Sequence, residues 1–112
     1  MAMGQHTIHP GIEPSRSEVD ALGEPTVIEF GASYCGYCSA ARPLIAEALA
    51  SRPQVRHIRI EDGPGRRLGR SFRVKLWPTL IFLSQGREVE RLVRPSYASA
   101  IEQALAQIDV AA

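Results

Sequence analysis

Thr26-Val27-Ile28-Glu29-Phe30, closed by Gly31 and followed after Ala32-Ser33 by Tyr34-Cys35-Gly36-Tyr37-Cys38, is the stretch that decides how this chain is built. The first five residues are short, β-branched and bounded by Pro25 and Gly31, which reads as a strand. Cys35 and Cys38 are the only cysteines in the chain, and two residues separate them. On a helix that spacing sets the second sulfur about one turn past the first, close enough to bridge. A strand, a brief turn and a helix opening at Cys35 together make a reactive dithiol. Free N–H groups and the positive end of the helix dipole favour a thiolate at the first cysteine.

The rest of the chain supplies a domain to hold that unit. With 112 residues it is one domain, large enough for a core without staples. A formal charge of +1 asks for neither a nucleic-acid nor a membrane partner. No stretch approaches the roughly 20 apolar residues of a membrane span. Residues 1–10 lack the apolar segment of a secretory signal, so a cytoplasmic location is expected. There a CxxC is catalytic or metal-binding more often than structural. Residues 1–14 read as a loose tail, in which residues 5–9 would at most add an edge strand and His6 and His9 read as solvated. Residues 15–112 read as a single domain.

Along that domain, serines ahead of an acidic turn predict a short capped helix over residues 15–22. After Cys38 an alanine-rich helix carries Ala41, Leu44, Ile45, Ala48 and Leu49 on one face, with Pro43 bending it. Residues 55–60 alternate as a strand, and residues 66–74 predict a helix. Residues 79–83 form an almost wholly apolar strand, and Gln85-Gly86 turns it into a hairpin with residues 87–93. Pro95-Ser96 opens a last helix with Tyr97, Ile101, Leu105 and Ile108 on its inner face. The order β-α-β-α-β-β-α predicts an α/β architecture, a central mixed sheet flanked by helices on both faces. Arg66, Arg70 and Arg73 share one helical face, read as a solvated surface with an acidic partner as the alternative.

Element order, the CGYC motif at the first long helix, the proline five residues after Cys38 and Trp77-Pro78-Thr79 ahead of an apolar strand together resemble the thioredoxin family, from about Pro25 to Ile108. The resemblance implies a thioredoxin fold and a thiol–disulfide oxidoreductase that reduces disulfides in protein substrates, with no cofactor beyond the Cys35–Cys38 pair. It implies a monomer, with a reductase such as thioredoxin reductase as partner. Cys35, at the helix start, is assigned as the attacking thiol, and Cys38 as the resolving thiol. In the family the proline matching Pro78 is cis and faces the dithiol. Trp77, Pro78 and Thr79 would then line a substrate groove with Tyr34, Gly36 and Tyr37. Glu29 stands where thioredoxins carry a buried aspartate, and is expected to be a general base with a raised pKa.

Departures bear on direction and partners. Tyr34 replaces the usual tryptophan, and Trp77, whose indole would narrow or flatten the groove, replaces a small β-branched aliphatic residue. Gly36-Tyr37 replaces Gly-Pro, freeing one more N–H near the sulfurs and making the pair more oxidising. Arg94-Pro95 stands near the usual glycine. A structural zinc site would need four ligands, and no second cysteine pair exists for it. The competing reading is a binding module or chaperone-like adaptor with an incidental CxxC.

Overall fold

The computed structural model describes residues 13–109; the expected edge strand at 5–9 and the histidines His6 and His9 lie outside them. The elements run α1 (Arg16–Asp20), β1 (Thr26–Gly31), α2 (Gly36–Ala50), β2 (Arg56–Glu61), α3 (Arg67–Ser71), β3 (Thr79–Ser84), β4 (Arg87–Val93) and α4 (Ala98–Ile108). Among the described residues four strands form one mixed sheet in the order β2-β1-β3-β4. β1 pairs parallel with β2 and antiparallel with β3, and β3–β4 is the hairpin expected from Gln85-Gly86.

Strand alternation sorts the core into two layers. Val27, Leu80 and Phe82 meet Ala41, Ile45 and Ala48 of α2 and Ile101, Leu105 and Ile108 of α4. On the opposite face Ile28, Phe30, Ile81 and Leu83 pack with Ile58, Ile60, Val19, Leu68 and Phe72. Each Val, Leu, Ile or Phe side chain among them contributes about 1.5–3 kcal/mol on leaving water. A one-residue slip of β1 would exchange its two faces, so burial on both sides fixes the register. β1 therefore lies in the middle of the sheet with every residue buried, Glu29 among them.

Local signals explain most boundaries. Ser15 caps α1 with a complete capping box, its hydroxyl accepting from the Glu18 N–H while Glu18 bonds back to the Ser15 N–H. Just before it, Pro14 is buried, and Glu13 accepts from the Arg67 and Leu68 N–H groups at the start of α3. α3 is shorter than the helix expected over 66–74: it stops at Ser71, and Arg73 takes a left-handed backbone (φ 58°) that no helix continues through. α4 starts at Ala98, so Tyr97 precedes the helix instead of lining its inner face, and it is 71% exposed. Pro95 allows an early helix start, but Arg94 (φ 52°) redirects the chain and Tyr97 keeps extended backbone.

Candidate active site

Cys35 is the N-cap of α2, and its sulfur accepts the Cys38 N–H at 3.2 Å. The next residue, Gly36, opens the helix at an exposed position. Burial pushes the Cys35 thiol up. The hydrogen bond with the Cys38 side chain, the Cys38 and Tyr37 N–H groups and the charge of Arg94 outweigh it and hold Cys35 below the ordinary thiol range. The Tyr37 N–H is the donor that a proline between the cysteines would have removed. Cys38, 1% exposed, is pushed up to about 11 by burial first, then by its bond to Cys35 and by the Cys35 and Glu29 charges. The two thiols are free and unlike, one partly exposed and readily ionised, the other buried and protonated.

Both sides of the pair are built closely. Gly31 at the end of β1 lies against Cys38: a Cβ there would meet the sulfur at 2.8 Å. The loop to α2 is held by the Ser33 N–H donating to Glu61 and the Cys35 N–H donating to the Ala32 carbonyl. Across the groove, the Trp77–Pro78 peptide is cis. The Trp77 carbonyl receives the Cys35 thiol at 3.9 Å and the Arg94 Nε–H at 2.8 Å. The Trp77 indole N–H donates to Asp62 at 2.9 Å, and its ring meets Tyr34 edge-on at 6.1 Å. Tyr34 and Tyr37 stand exposed beside the sulfurs. Pro78 and Thr79 are buried, and the Thr79 hydroxyl donates to the Leu76 carbonyl, so that side chain secures the loop under the groove.

Glu29 is 1% exposed and points to the α2 face of the sheet, where its charge reaches Cys38. The expected raised pKa is not found. Burial pushes Glu29 up, but the His57 hydrogen bond (2.8 Å) and the charges and bonds of Arg59 and His57 hold it below the ordinary carboxylate value. Parallel pairing explains these partners: Val27 lies opposite His57 and Glu29 opposite Arg59, so all four side chains share one face. Glu29 is thus the inner end of a buried-to-surface chain that continues through His57. Neither His57, Arg59, Asp62 nor Arg94 was assigned to the site from sequence. The alternation of residues 55–60 could have placed His57 and Arg59 beside Glu29; Arg94 stands out in the sequence only as a departure near the usual glycine, and its contacts with Trp77 and Tyr37 bring it to the site.

Arg66, Arg70 and Arg73 are joined by Lys75 around a cleft of about 590 Å³ that reaches Trp77 and Asp62. Among the described residues no three His, Cys, Asp or Glu side chains come together to hold a metal ion. Nor is any described helix long and apolar enough to cross a membrane.

A sheet of this order with an unlike cysteine pair capping the helix after β1, opposite a cis proline, defines a thioredoxin-fold dithiol protein. Residues 14–107 match the family model described as Thioredoxin. The chain is 56% identical to thioredoxin 2 from Pseudomonas aeruginosa PAO1, solved in its reduced form, over 86% of this chain and 89% of that one, with a TM-score of 0.77. It is 30% identical to the H-type thioredoxin of Fagopyrum esculentum over 88 residues, 79% of this chain and 75% of that protein. Thioredoxin NaTrxh from Nicotiana alata is 26% identical, with a TM-score of 0.71 over 84% of this chain and 81% of that one. The chain belongs to the thioredoxin family. It is accordingly a protein thiol–disulfide oxidoreductase, in a family that acts on protein disulfides through its own cysteine pair.

Proposed function

We propose that this protein reduces disulfides of other proteins, with Cys35 as attacking thiol, Cys38 as resolving thiol and Glu29 as the base that serves Cys38. The observation that carries the assignment is the inequality of the pair: Cys35 is partly exposed and takes N–H donors from Cys38 and Tyr37, whereas Cys38 is buried and held protonated. The Cys35 thiolate attacks one sulfur of the substrate disulfide. A Cys35–substrate S–S bond forms, the substrate S–S bond breaks, and the departing sulfur leaves as a thiolate that takes a proton from water. Cys38 then loses its proton towards Glu29 and attacks the Cys35 sulfur, expelling the second substrate thiolate. Two electrons have passed to the substrate, and the protein carries a Cys35–Cys38 disulfide. Glu29 is ionised at neutral pH and so free to accept, though its lowered pKa makes it a weaker base than an ordinary carboxylate, and its bond to His57 offers the proton a way on to solvent.

Tyr34, Gly36, Tyr37 and the Trp77–Pro78 backbone form the groove for an extended substrate segment in this reading, with Thr79 supporting it from below. A dithiol reductase such as thioredoxin reductase returns the two electrons, and the protein acts as a monomer in the cytoplasm.

The test is trapping combined with redox equilibration. A Cys38→Ser variant should accumulate a mixed disulfide through Cys35 with an oxidised protein substrate, and a Cys35→Ser variant should not. Equilibration of the parent in glutathione buffers should give a potential at or below about −250 mV, with rapid reduction of insulin by dithiothreitol at substoichiometric protein. A value near about −180 mV would replace the reductant by an oxidant or isomerase. Trapping through Cys38 instead would reverse the two roles.

A further inference from the structure

Arg94 occupies a position where an ordinary side chain is costly. It follows β4 with a left-handed backbone (φ 52°), a conformation usually left to glycine, asparagine or aspartate. Its backbone N–H donates to the Pro78 carbonyl at 2.9 Å, and its Nε–H donates to the Trp77 carbonyl at 2.8 Å. The guanidinium carbon lies 3.8 Å over the centre of the Tyr37 ring. A hydrogen bond on one side and an aromatic face on the other give this cation one place to be.

That place is beside the reactive sulfur. The Cys35 thiol uses the same Trp77 oxygen, at 3.9 Å, so both groups meet at a single carbonyl. We propose that Arg94 is a positioning residue for the dithiol: its guanidinium, fixed between the Trp77 carbonyl and the Tyr37 ring, sets the readiness of Cys35 to attack and the redox poise of the pair.

The chemistry of the shared carbonyl explains how. When Cys35 releases its proton to water, the Trp77 oxygen loses a donor and faces a sulfur anion. With Arg94 present that oxygen keeps a charged donor, and the anion gains a neighbouring cation. The other groups facing Cys35 are the Cys38 thiol and the Cys38 and Tyr37 N–H groups from α2, with the Glu29 charge of β1 beyond Cys38. Of these, Arg94 alone carries positive charge. Once Cys35 and Cys38 join in a disulfide there is no anion to stabilise, so Arg94 favours the reduced pair and makes the protein more oxidising. The direction matches the lowering of the Cys35 thiol by the Arg94 charge.

The proposal rests on Cys35 being the attacking thiol, and the test separates the two. Reduced parent, Arg94→Gln, Arg94→Gly and Arg94→Lys are alkylated with iodoacetamide from pH 5 to 10, and the modified cysteine is located by mass spectrometry. Arg94→Gly suits the left-handed backbone, so a fold loss in Arg94→Gln does not leave the question open. At pH 6 the Gln and Gly variants should react at Cys35 about threefold more slowly than the parent, with the difference closing at a pH where Cys35 is ionised in all of them. Arg94→Lys should recover most of the rate. In glutathione buffers at a pH where Cys35 is ionised, the Gln and Gly variants should shift the dithiol–disulfide equilibrium about threefold towards disulfide, or about 15 mV more reducing. Parent-like profiles and potentials in both neutral variants, with the parent still reacting at Cys35, overturn the role of Arg94 alone. A parent that reacts first at Cys38 overturns the Cys35 assignment as well.

Discussion

Replacing Glu29 by Gln removes a buried charge while keeping the shape, and tests the second step of the reaction in isolation. In the reduced protein Cys38 is pushed up to about 11. At that value only about one molecule in 10⁴ carries a Cys38 thiolate at pH 7. Two of the causes, the bond to Cys35 and the Cys35 charge, vanish once Cys35 is tied up in a mixed disulfide, whereas burial and the Glu29 charge persist. The thiolate is therefore less scarce at the moment of resolution but still a minority, and a base must take its proton as it attacks. General-base assistance is worth about 10²–10⁴ in rate. Loss of the Glu29 charge also makes Cys38 easier to ionise, which offsets part of that, so the lower end applies: about a hundredfold slower resolution at pH 7 for Glu29→Gln.

The assay loads reduced protein with a chromogenic aromatic thiol on Cys35 and follows release of the coloured thiolate by stopped flow. The parent should show a shallow dependence on pH near neutrality. The variant's rate should climb about tenfold per pH unit until Cys38 ionises by itself, and the two curves should converge there. A variant that resolves at the parent rate at pH 7, with the same pH profile, refutes the base assignment. Equilibrium unfolding supplies an internal check on the charge state. Glu29 is held below the ordinary carboxylate value, so in the acid range the unfolded chain binds the extra proton. Its contribution is present above about pH 4.5 and is lost as pH falls through the folded value. The parent should lose stability in that window more steeply than Glu29→Gln.

Two further outcomes follow from Cys38. Its folded value near 11 lies above that of an unfolded thiol, so between about pH 9 and 11 the folded reduced protein keeps a proton the unfolded chain has released. Stability of the reduced form should fall by about 2–3 kcal/mol across that window relative to the oxidised form, measured by urea unfolding of both; parallel curves would contradict the burial of a protonated thiol. Gly31→Ala would put a Cβ 2.8 Å from the Cys38 sulfur, and it should cost the reduced protein about 1–3 kcal/mol. Unchanged denaturation midpoints would show that Cys38 can move aside without loss.

The fold was legible because its signals are local and repeated. Val27 to Phe30, the apolar stripe of α2 and the Gln85-Gly86 turn each carry their own period or turn chemistry, and the layers they imply agree. The cysteine pair was legible for the same reason, since a two-residue spacing at a helix start needs no distant partner to be understood. Boundaries failed where a single backbone conformation decided them. Arg73 adopts a left-handed φ that arginine gives no reason to expect, and Arg94 adopts one near the position of the family's usual glycine, so α3 ends early and Tyr97 falls outside α4.

The charge state of the site failed for a different reason. Burial of Glu29 follows from the central position of β1 and by itself argues for a raised pKa. The opposing contributions come from His57 and Arg59, one strand away, and their weight depends on the β1–β2 register and on both side chains reaching water, His57 at 28% and Arg59 at 56% exposure. The same holds for Arg94, whose effect on Cys35 passes through a carbonyl of a residue 17 positions earlier. Sequence patterns report which groups are buried, because burial follows from periodicity. They do not report the sign of a pKa shift, because that sign is a difference between desolvation and charges brought in by other strands. The cysteine pair of the proposed reaction stands in a motif readable from the chain, while the tuning proposed for it would pass through Glu29–His57 and Arg94–Trp77, two contacts that only the folded sheet creates.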